Sequence, residues 1–320
     1  MKYERSRVIA LGLTSLFFGK LGKYFARPDN RANWGHFYDI DSGIGEVNHL
    51  IDRSSQLASL RIEAVQKDDK VSLKKCDELI ARTKKHSQEF GEKCAKLLGA
   101  INPPLVLKKL HDEKISAFVK KMDDARVAAF LWDAASGRKD RIVKNAQEFV
   151  AALSAEYGIA TPLVTYAKES MGTVAGVYVY NTKGIELTPD EDFLSLPHYG
   201  GALLSTLVHE TAHAVQASFM EREPNNIAEH MAQRYLLLGR CLNAFKDDLY
   251  GKEFFKEKLY DVSPTEKDAQ YAEGVFLASE LGSFALYAAA PVREMRKRFK
   301  HCVEIEFKCA SGATISCPVD

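Results

Sequence analysis

The residues whose types and spacing could do chemistry lie at 207–215, which reads LVHETAHAV. Within this apolar stretch, His209, Glu210 and His213 form the pattern His-Glu-x-x-His. On an α-helix, side chains four positions apart share one face, with their Cβ atoms about 5–6 Å apart. Two imidazoles at that spacing can bind one zinc ion, and Glu210 can act as general base toward a metal-activated water. The spacing therefore predicts a Zn²⁺ site with Glu210 as its catalytic residue.

A catalytic zinc site needs a third protein ligand as well as an open position. Glu266 is the first candidate, on a predicted helix that begins at Pro264. The same residue also fits a capping box with Ser263 as the N-cap, which would make its role structural. Glu273 lies two turns further on nearly the same face, and His230 belongs to another predicted helix. Both remain open as alternative ligands.

A His-Glu-x-x-His helix followed by a helix with Glu-x-x-Ala resembles the gluzincin class of zinc metallopeptidases. The resemblance covers about residues 165–290 and implies a zincin-like fold. It implies that Glu266 is the third zinc ligand and that the small Ala269 lets the two helices approach. Gluzincins place Asp or Asn next, where it orients a histidine ligand; Gln270 stands there in this chain and could accept that hydrogen bond.

The resemblance implies a zinc-dependent peptidase acting on a protein or peptide substrate held along a hairpin edge. Two other interpretations remain open: a zinc-dependent hydrolase of a non-peptide amide, and a non-catalytic helical interaction or membrane-surface protein with a vestigial motif. Glu210→Gln distinguishes them: it should abolish the activity of a peptidase but leave the function of a non-catalytic protein intact. The sequence does not choose the donor that stabilises the oxyanion among Tyr199, His230, Tyr271 and Tyr287.

The elements that must position these residues change in character near residue 160. Apolar periodicity before that point predicts a helical hairpin broken at 67–70, then helices at about 105–135 and 140–157. No residue of 1–150 carries recognisable chemistry. Beyond it, β-branched and aromatic residues predict strands near 162–166, 176–180 and 185–188.

Helices are expected after this hairpin, near 199–219, near 226–247 and from Pro264, and a second hairpin is expected in the last 18 residues. The predicted fold is thus α+β and predominantly helical. We expect an N-terminal helical region over 1–158 and a zincin-like catalytic domain over 159–320.

Charge and composition exclude several classes of protein. Lysine plus arginine (44) nearly balance aspartate plus glutamate (43), so no strong field attracts nucleic acid, and we expect no such partner. No apolar run approaches the ~20 residues that span a bilayer. Six cysteines predict packed free thiols in a reducing, cytoplasmic setting. A disulfide within the group Cys302, Cys309 and Cys317 stays open.

Residues 1–27 leave the destination of the chain open. Basic residues precede an apolar stretch, as in a signal peptide or an organelle presequence. Further lysines among apolar residues also fit an amphipathic helix on a membrane surface. The alternatives are a helix packed on its own protein, export or organelle targeting, and a peripheral membrane contact through 1–27. The sequence does not indicate an oligomeric state.

Overall fold

The structure is a computed structural model. It describes residues 28–169, 175–188, 196, 198–244, 251–298, 304–308 and 314–318. The predicted targeting or membrane segment 1–27 and the side chains of Cys302, Cys309 and Cys317 lie outside what it describes. Of the other cysteines, Cys76 and Cys94 are buried free thiols and Cys241 is half-buried and free.

Helices precede a small sheet, and further helices follow it. The first helices are α1 (Pro28–Gln66), α2 (Lys70–Ala100), α3 (Leu105–Lys121), α4 (Asp124–Ser136) and α5 (Lys139–Tyr157). The strands of the sheet are β1 (Leu163–Tyr166), β2 (Gly176–Val179) and β3 (Gly184–Leu187). The later helices are α6 (Tyr199–Glu221), α7 (Ile227–Ala244), α8 (Lys252–Phe254) with a π-helical turn (Phe255–Leu259), α9 (Pro264–Leu277) and α10 (Glu280–Arg298). The described chain is thus predominantly helical with a small sheet, consistent with the α+β class.

Local capping divides the chain into these helices. The α1–α2 break falls at the predicted place, where the Asp69 carboxylate accepts hydrogen bonds from two backbone N–H groups at the start of α2. A single helix over about 105–135, expected from the sequence, is wrong. Met122 is extended, and the Asp123 carboxylate accepts a hydrogen bond from the Ala125 N–H (2.9 Å), which starts a new helix.

The sheet is mixed, in the order β1-β3-β2. The predicted hairpin is confirmed for β2 and β3, which pair antiparallel with Val177 opposite Glu186. β1 joins the other edge of β3 in parallel, with Leu163 opposite Gly184, an arrangement that strand patterning alone does not reveal. The expected second hairpin is also present, as β4 (Glu304–Lys308) paired with β5 (Thr314–Pro318).

Buried apolar side chains form two clusters. One surrounds α6, α9 and the inner face of the sheet, and the other joins α1 and α2 to α7 and the π-helical turn. Each cluster takes residues from both sides of the predicted boundary at 158/159. The early helices therefore pack directly against the helices that carry the chemically promising residues.

Within the described residues, no single helix has the length and hydropathy to cross a bilayer. The pair Pro264–Leu277 and Glu280–Glu294 passes that test together, with a bend of 80° between them.

Candidate metal centre

The His-Glu-x-x-His motif lies on α6, which is buried along most of its length. A Cβ at Gly200 would lie 2.9 Å from the Leu131 side chain. A Cβ at Gly201 would lie 2.8 Å from the Ala285 carbonyl oxygen. Such separations are too short for a side chain, so glycine allows α6 to run closely between α4 and α10. These close approaches fix the start of the helix that carries the motif.

The two motif histidines lie side by side, as their spacing predicts. Their ring centroids are 4.9 Å apart, and His213 and Glu210 are each only 6% exposed. One ligand atom from each of His209, Glu210 and His213 can be chosen so that all lie within 4.8 Å of one another. This group could hold a metal ion.

Glu266 reaches the same point from α9. Its Oε2 lies 3.3 Å from His209 Nε2, and its Oε1 lies 3.6 Å from His213 Nε2. The carboxylate thus faces both imidazoles through the same type of ring nitrogen. Ala269, one turn along α9, is fully buried in the core that also contains the apolar side of α6. The small residue accompanies a close α6–α9 contact, as the gluzincin resemblance implies.

The start of α9 is held against α7 by a second close approach. A Cβ at Gly239 would lie 2.8 Å from the Thr265 backbone nitrogen and 3.0 Å from Pro264 Cβ. Any side chain at Gly239 would push the first turn of α9 away. Because Glu266 lies in that turn, Gly239 contributes to its placement.

The predicted role of Gln270 is wrong, because its side chain is exposed. Glu273, considered above as an alternative ligand, takes the place next to His209. Its Oε2 lies 3.3 Å from His209 Nδ1, and its Oε1 accepts a hydrogen bond from the Ser205 hydroxyl (2.8 Å). Glu273 therefore contacts the ring nitrogen opposite to the one that faces Glu266.

His213 has a different partner on its Nδ1. The Gln216 Oε1 lies 3.0 Å from that nitrogen, and Gln216 is only 1% exposed. Both histidines therefore have Nδ1 engaged by protein and Nε2 turned toward Glu266. A hydrogen bond from Nδ1–H leaves the Nε2 lone pair available to a metal.

Charge in the centre is concentrated and buried. Burial alone would lower the pKa of His209, but its hydrogen bonds with Glu266 and Glu273 raise it to about 10. Burial would raise the pKa of Glu266, yet hydrogen bonds with His209 and His213 hold it well below its usual range. Carboxylates thus surround both histidines, and because a metal binds the unprotonated imidazole nitrogen, metal binding at this centre competes with protons.

Glu210 lies between the motif helix and the sheet. Its Oε2 accepts a hydrogen bond from the Tyr178 backbone N–H of β2 (2.6 Å). Burial raises the pKa of Glu210, and the neighbouring His213 and His209 oppose that rise. A buried carboxylate with a raised pKa, fixed by one backbone donor, has the properties of a general base.

Several sequence candidates lie elsewhere. His230, on α7, experiences the charges of Arg234 and Asp41, and burial and Arg234 lower its pKa. The Tyr271 hydroxyl donates to Asp112 (3.0 Å). The Tyr199 side chain is 2% exposed in the apolar core, and Tyr287 is 81% exposed. Of the residues considered as alternatives, Glu273 contacts a motif histidine, through His209 Nδ1.

Two tyrosines that the sequence did not single out are influenced by the charges of the centre. Burial raises the pKa of Tyr260, and contact with Glu266 and the field of Glu210 raise it further. Burial also raises the pKa of Tyr180, to which Glu266 and Glu210 contribute; the Arg240 guanidinium, 5.0 Å from its ring centroid, opposes the shift. Tyr260 precedes α9 and Tyr180 follows β2, and no motif marks either position.

Comparisons of the chain with protein-family models, with curated proteins and with solved structures find no match. The centre is consequently interpreted from its own geometry. Two imidazoles meet two carboxylates here: Glu210 belongs to the group whose ligand atoms lie within 4.8 Å of one another, and Glu266 lies 3.3 and 3.6 Å from the two Nε2 atoms. Such a donor set can bind a divalent metal and leave room for a further ligand.

Proposed function

We propose that the chain is a zinc-dependent metallopeptidase with a zincin-like catalytic region. The observation that carries the proposal is the convergence of Glu266, from α9, on the Nε2 atoms of His209 and His213, at 3.3 and 3.6 Å. Two histidines and one glutamate are a donor set typical of catalytic zinc sites. Glu210, a second buried carboxylate, lies beside them.

The proposed chemistry divides between the metal and the chain. A bound zinc supplies Lewis acidity and lowers the pKa of water toward ~7. Glu210 accepts the proton of the attacking water and delivers it to the leaving nitrogen. The Tyr178 N–H holds one Glu210 oxygen in place, so the other oxygen remains for the proton.

Tyr260 is the proposed donor to the developing oxyanion. Burial and the charge of Glu266 raise its pKa, so its hydroxyl stays protonated at neutral pH and can donate a hydrogen bond. Its side chain is 41% exposed, so it can be reached by a substrate. A hydroxyl aimed at the oxygen where charge develops stabilises the transition state more than the ground state.

The proposed substrate is an extended peptide or protein segment. β2 is an outer strand of the described sheet and lies against α6. An extended peptide can add to such an edge through backbone hydrogen bonds. The contact between the Tyr178 N–H and Glu210 links that strand directly to the general base.

The test is a pair of glutamine substitutions on α6. Glu210→Gln removes the proposed base, whereas Glu221→Gln changes an exposed glutamate at the end of the same helix, paired with Lys183. The full chain is loaded with zinc, its metal content is measured, and cleavage of unfolded protein and of a mixed peptide library is followed by mass spectrometry. We expect one zinc per chain in all three proteins, cleavage by the wild type and Glu221→Gln, and none by Glu210→Gln.

Three results would contradict the proposal. A wild-type chain that binds no zinc lacks the proposed centre. A zinc-loaded wild type that cleaves amides of small molecules but no peptide is a different hydrolase. Peptide cleavage that persists in Glu210→Gln shows that Glu210 is not the base.

A further inference from the structure

His213 is connected to the early helices by a chain of polar side chains, here termed the interior network: the buried Gln216, Asp268 and His111 and the half-buried Tyr157. The Gln216 Nε2 donates to the Thr265 carbonyl oxygen (2.8 Å) and to Asp268 Oδ2 (3.0 Å). Asp268 Oδ2 also lies 3.2 Å from His111 Nε2. His111 Nδ1 lies 2.7 Å from the Tyr157 hydroxyl. The network thus runs from α6 through α9 to α3 and α5.

The donors and acceptors of the interior network fit one arrangement. Both partners of the Gln216 Nε2, a carbonyl oxygen and a carboxylate oxygen, can only accept hydrogen bonds. The amide nitrogen must therefore point to them, which leaves the amide oxygen toward His213. An amide oxygen can only accept, so His213 must carry its proton on Nδ1. The network thereby fixes the tautomer that frees Nε2 for a metal.

The far end of the network is consistent with the same direction of donation. Asp268 is the common acceptor, so His111 donates to it from Nε2. The His111 Nδ1 lies 2.7 Å from the Tyr157 hydroxyl, a group that can both donate and accept. Burial and the nearby Asp268 carboxylate raise the pKa of Tyr157, so that hydroxyl keeps its proton.

Burial makes this arrangement rigid. His111 and Asp268 are 0% exposed, and Gln216 is 1% exposed. Bulk water cannot replace a missing partner at such positions, and an unpaired polar group there is costly. Burying a polar network costs free energy that apolar side chains would not cost. The network therefore indicates a role beyond filling the core.

We propose that the interior network positions His213 and sets the metal affinity of the centre, which makes α3 and α5 part of the metal site. His111 and Tyr157 touch no metal ligand and act as positioning residues through Asp268 and Gln216. The sequence assigned no chemistry to residues 1–150. The inference gives His111, within that region, a role in positioning a metal ligand. It rests on the proposed metal binding and does not depend on the reaction that follows.

Metal affinity and ligand geometry test the proposal directly. Zn²⁺ dissociation constants are measured on the full chain by competition with a chromophoric chelator, and visible spectra are recorded with Co²⁺ as a geometric probe. Gln216→Leu removes both ends of the amide. His111→Phe and Tyr157→Phe shorten the network from its far end without touching a residue next to the metal.

We expect Gln216→Leu to weaken zinc binding by about 10–100-fold, the range found when a hydrogen-bond partner of a ligand is lost. His111→Phe should weaken binding by a smaller factor and shift the Co²⁺ bands. His111→Gln, which retains an N–H in the region of Nε2, should restore much of the affinity. Tyr157→Phe is the mildest change and should weaken binding least.

The matched control is Ile115→Val, one turn along α3 from His111. Ile115 is fully buried and apolar, so the change loosens packing without altering the network. Its zinc affinity and Co²⁺ spectrum should equal those of the wild type. Circular dichroism checks that each variant is folded.

The outcomes separate this inference from the proposed function. A wild type that binds no zinc overturns both. Zinc binding by the wild type with unchanged affinity and spectra in folded Gln216→Leu, His111→Phe and Tyr157→Phe overturns the positioning role alone. Equal losses in Ile115→Val and His111→Phe would also overturn it, because general loosening would then explain the effect.

Discussion

His209 and His213 lie on one helix and face one carboxylate, yet they are held in different ways. His209 Nδ1 contacts Glu273, which also accepts a hydrogen bond from Ser205; these two residues are here termed the rim pair. His213 Nδ1 contacts the neutral amide of Gln216, at the start of the interior network. The Glu273 side chain is 28% exposed, whereas that of Asp268 is 0% exposed.

This difference separates two ways of orienting a ligand. The rim pair uses a charged acceptor that water can partly replace, and its electrostatic contribution is screened by salt. The interior network uses geometry, since Gln216, Asp268 and His111 are buried from bulk water and their hydrogen bonds depend on one another's placement. We therefore expect the His213 side to depend on the fold of the early helices and the His209 side to depend on ionic conditions.

The largest effect should come from Glu266, which the two histidines share. Glu266→Ala removes the carboxylate that faces both Nε2 atoms. Zinc affinity should therefore fall by more than the ~100-fold expected when a residue that only hydrogen-bonds to a metal ligand is lost. Glu273→Ala should retain zinc with weaker affinity. Metal content after exhaustive dialysis, with exposed Glu280→Ala as control, measures the difference. If Glu266→Ala kept its zinc and Glu273→Ala lost it, Glu273 would be the metal ligand and Glu266 would not.

Substitution of Asp268 should give the next largest effect, and it disrupts the interior network without changing the rim pair. Asp268→Leu leaves one N–H of the Gln216 amide and the Nε2–H of His111 buried without an acceptor, at about 1–3 kcal/mol for each, while the other Gln216 N–H keeps the Thr265 carbonyl oxygen. The metal-free chain should lose that free energy of unfolding, measured by urea denaturation. Glu273→Leu is the matched change on the rim and should cost less, since the Glu273 and His209 side chains are 28% and 13% exposed and water can reach the site of the lost carboxylate. Equal losses would show that the two sides do not differ in the proposed way.

The sequence predicted the local part of the centre. A helical period places His209, Glu210 and His213 together, and the Ser263-Pro264 start signal places Glu266 in a first turn. Periodicity also put Glu273 on nearly the same face as Glu266. Periodicity could not show that Glu273 contacts His209 Nδ1 while Glu266 faces Nε2 of the same ring. That arrangement depends on how α9 crosses α6.

The rest of the centre depends on contacts between distant segments. His111 and Asp268 are separated by 157 positions, and a lone histidine within a helix carries no local signal of its partner. Tyr260 and Tyr180 flank predicted elements, and their approach to Glu266 depends on tertiary packing. The Gln270 prediction was wrong for a related reason, since a spacing carried over from another family fixes the order of residues but not the rotation of α9.

A glycine pair tests how closely the interior side is packed. In Gly239→Ala, the new Cβ would lie 2.8 Å from the Thr265 nitrogen, in the turn whose carbonyl binds Gln216. Overpacking of this kind typically costs about 1–3 kcal/mol. Gly274→Ala, on α9, meets nothing within 4 Å and should stabilise the chain by about 0.5–1 kcal/mol. Urea denaturation of both variants should give opposite signs, and destabilisation by both would argue against a specific contact at Gly239.

The smallest expected effect is the loss of charge on the rim. Glu273→Gln retains an oxygen for the His209 Nδ1–H and a polar contact for Ser205, so zinc affinity should fall by no more than about 10-fold. The Debye length falls from about 10 Å at 0.1 M salt to 3 Å at 1 M. The affinity difference between wild type and Glu273→Gln should therefore shrink at high salt, while that between wild type and Gln216→Leu should not. Chelator competition at both salt concentrations measures this, and an equal salt response in the two variants would remove the distinction between a charge-based rim and a geometric interior.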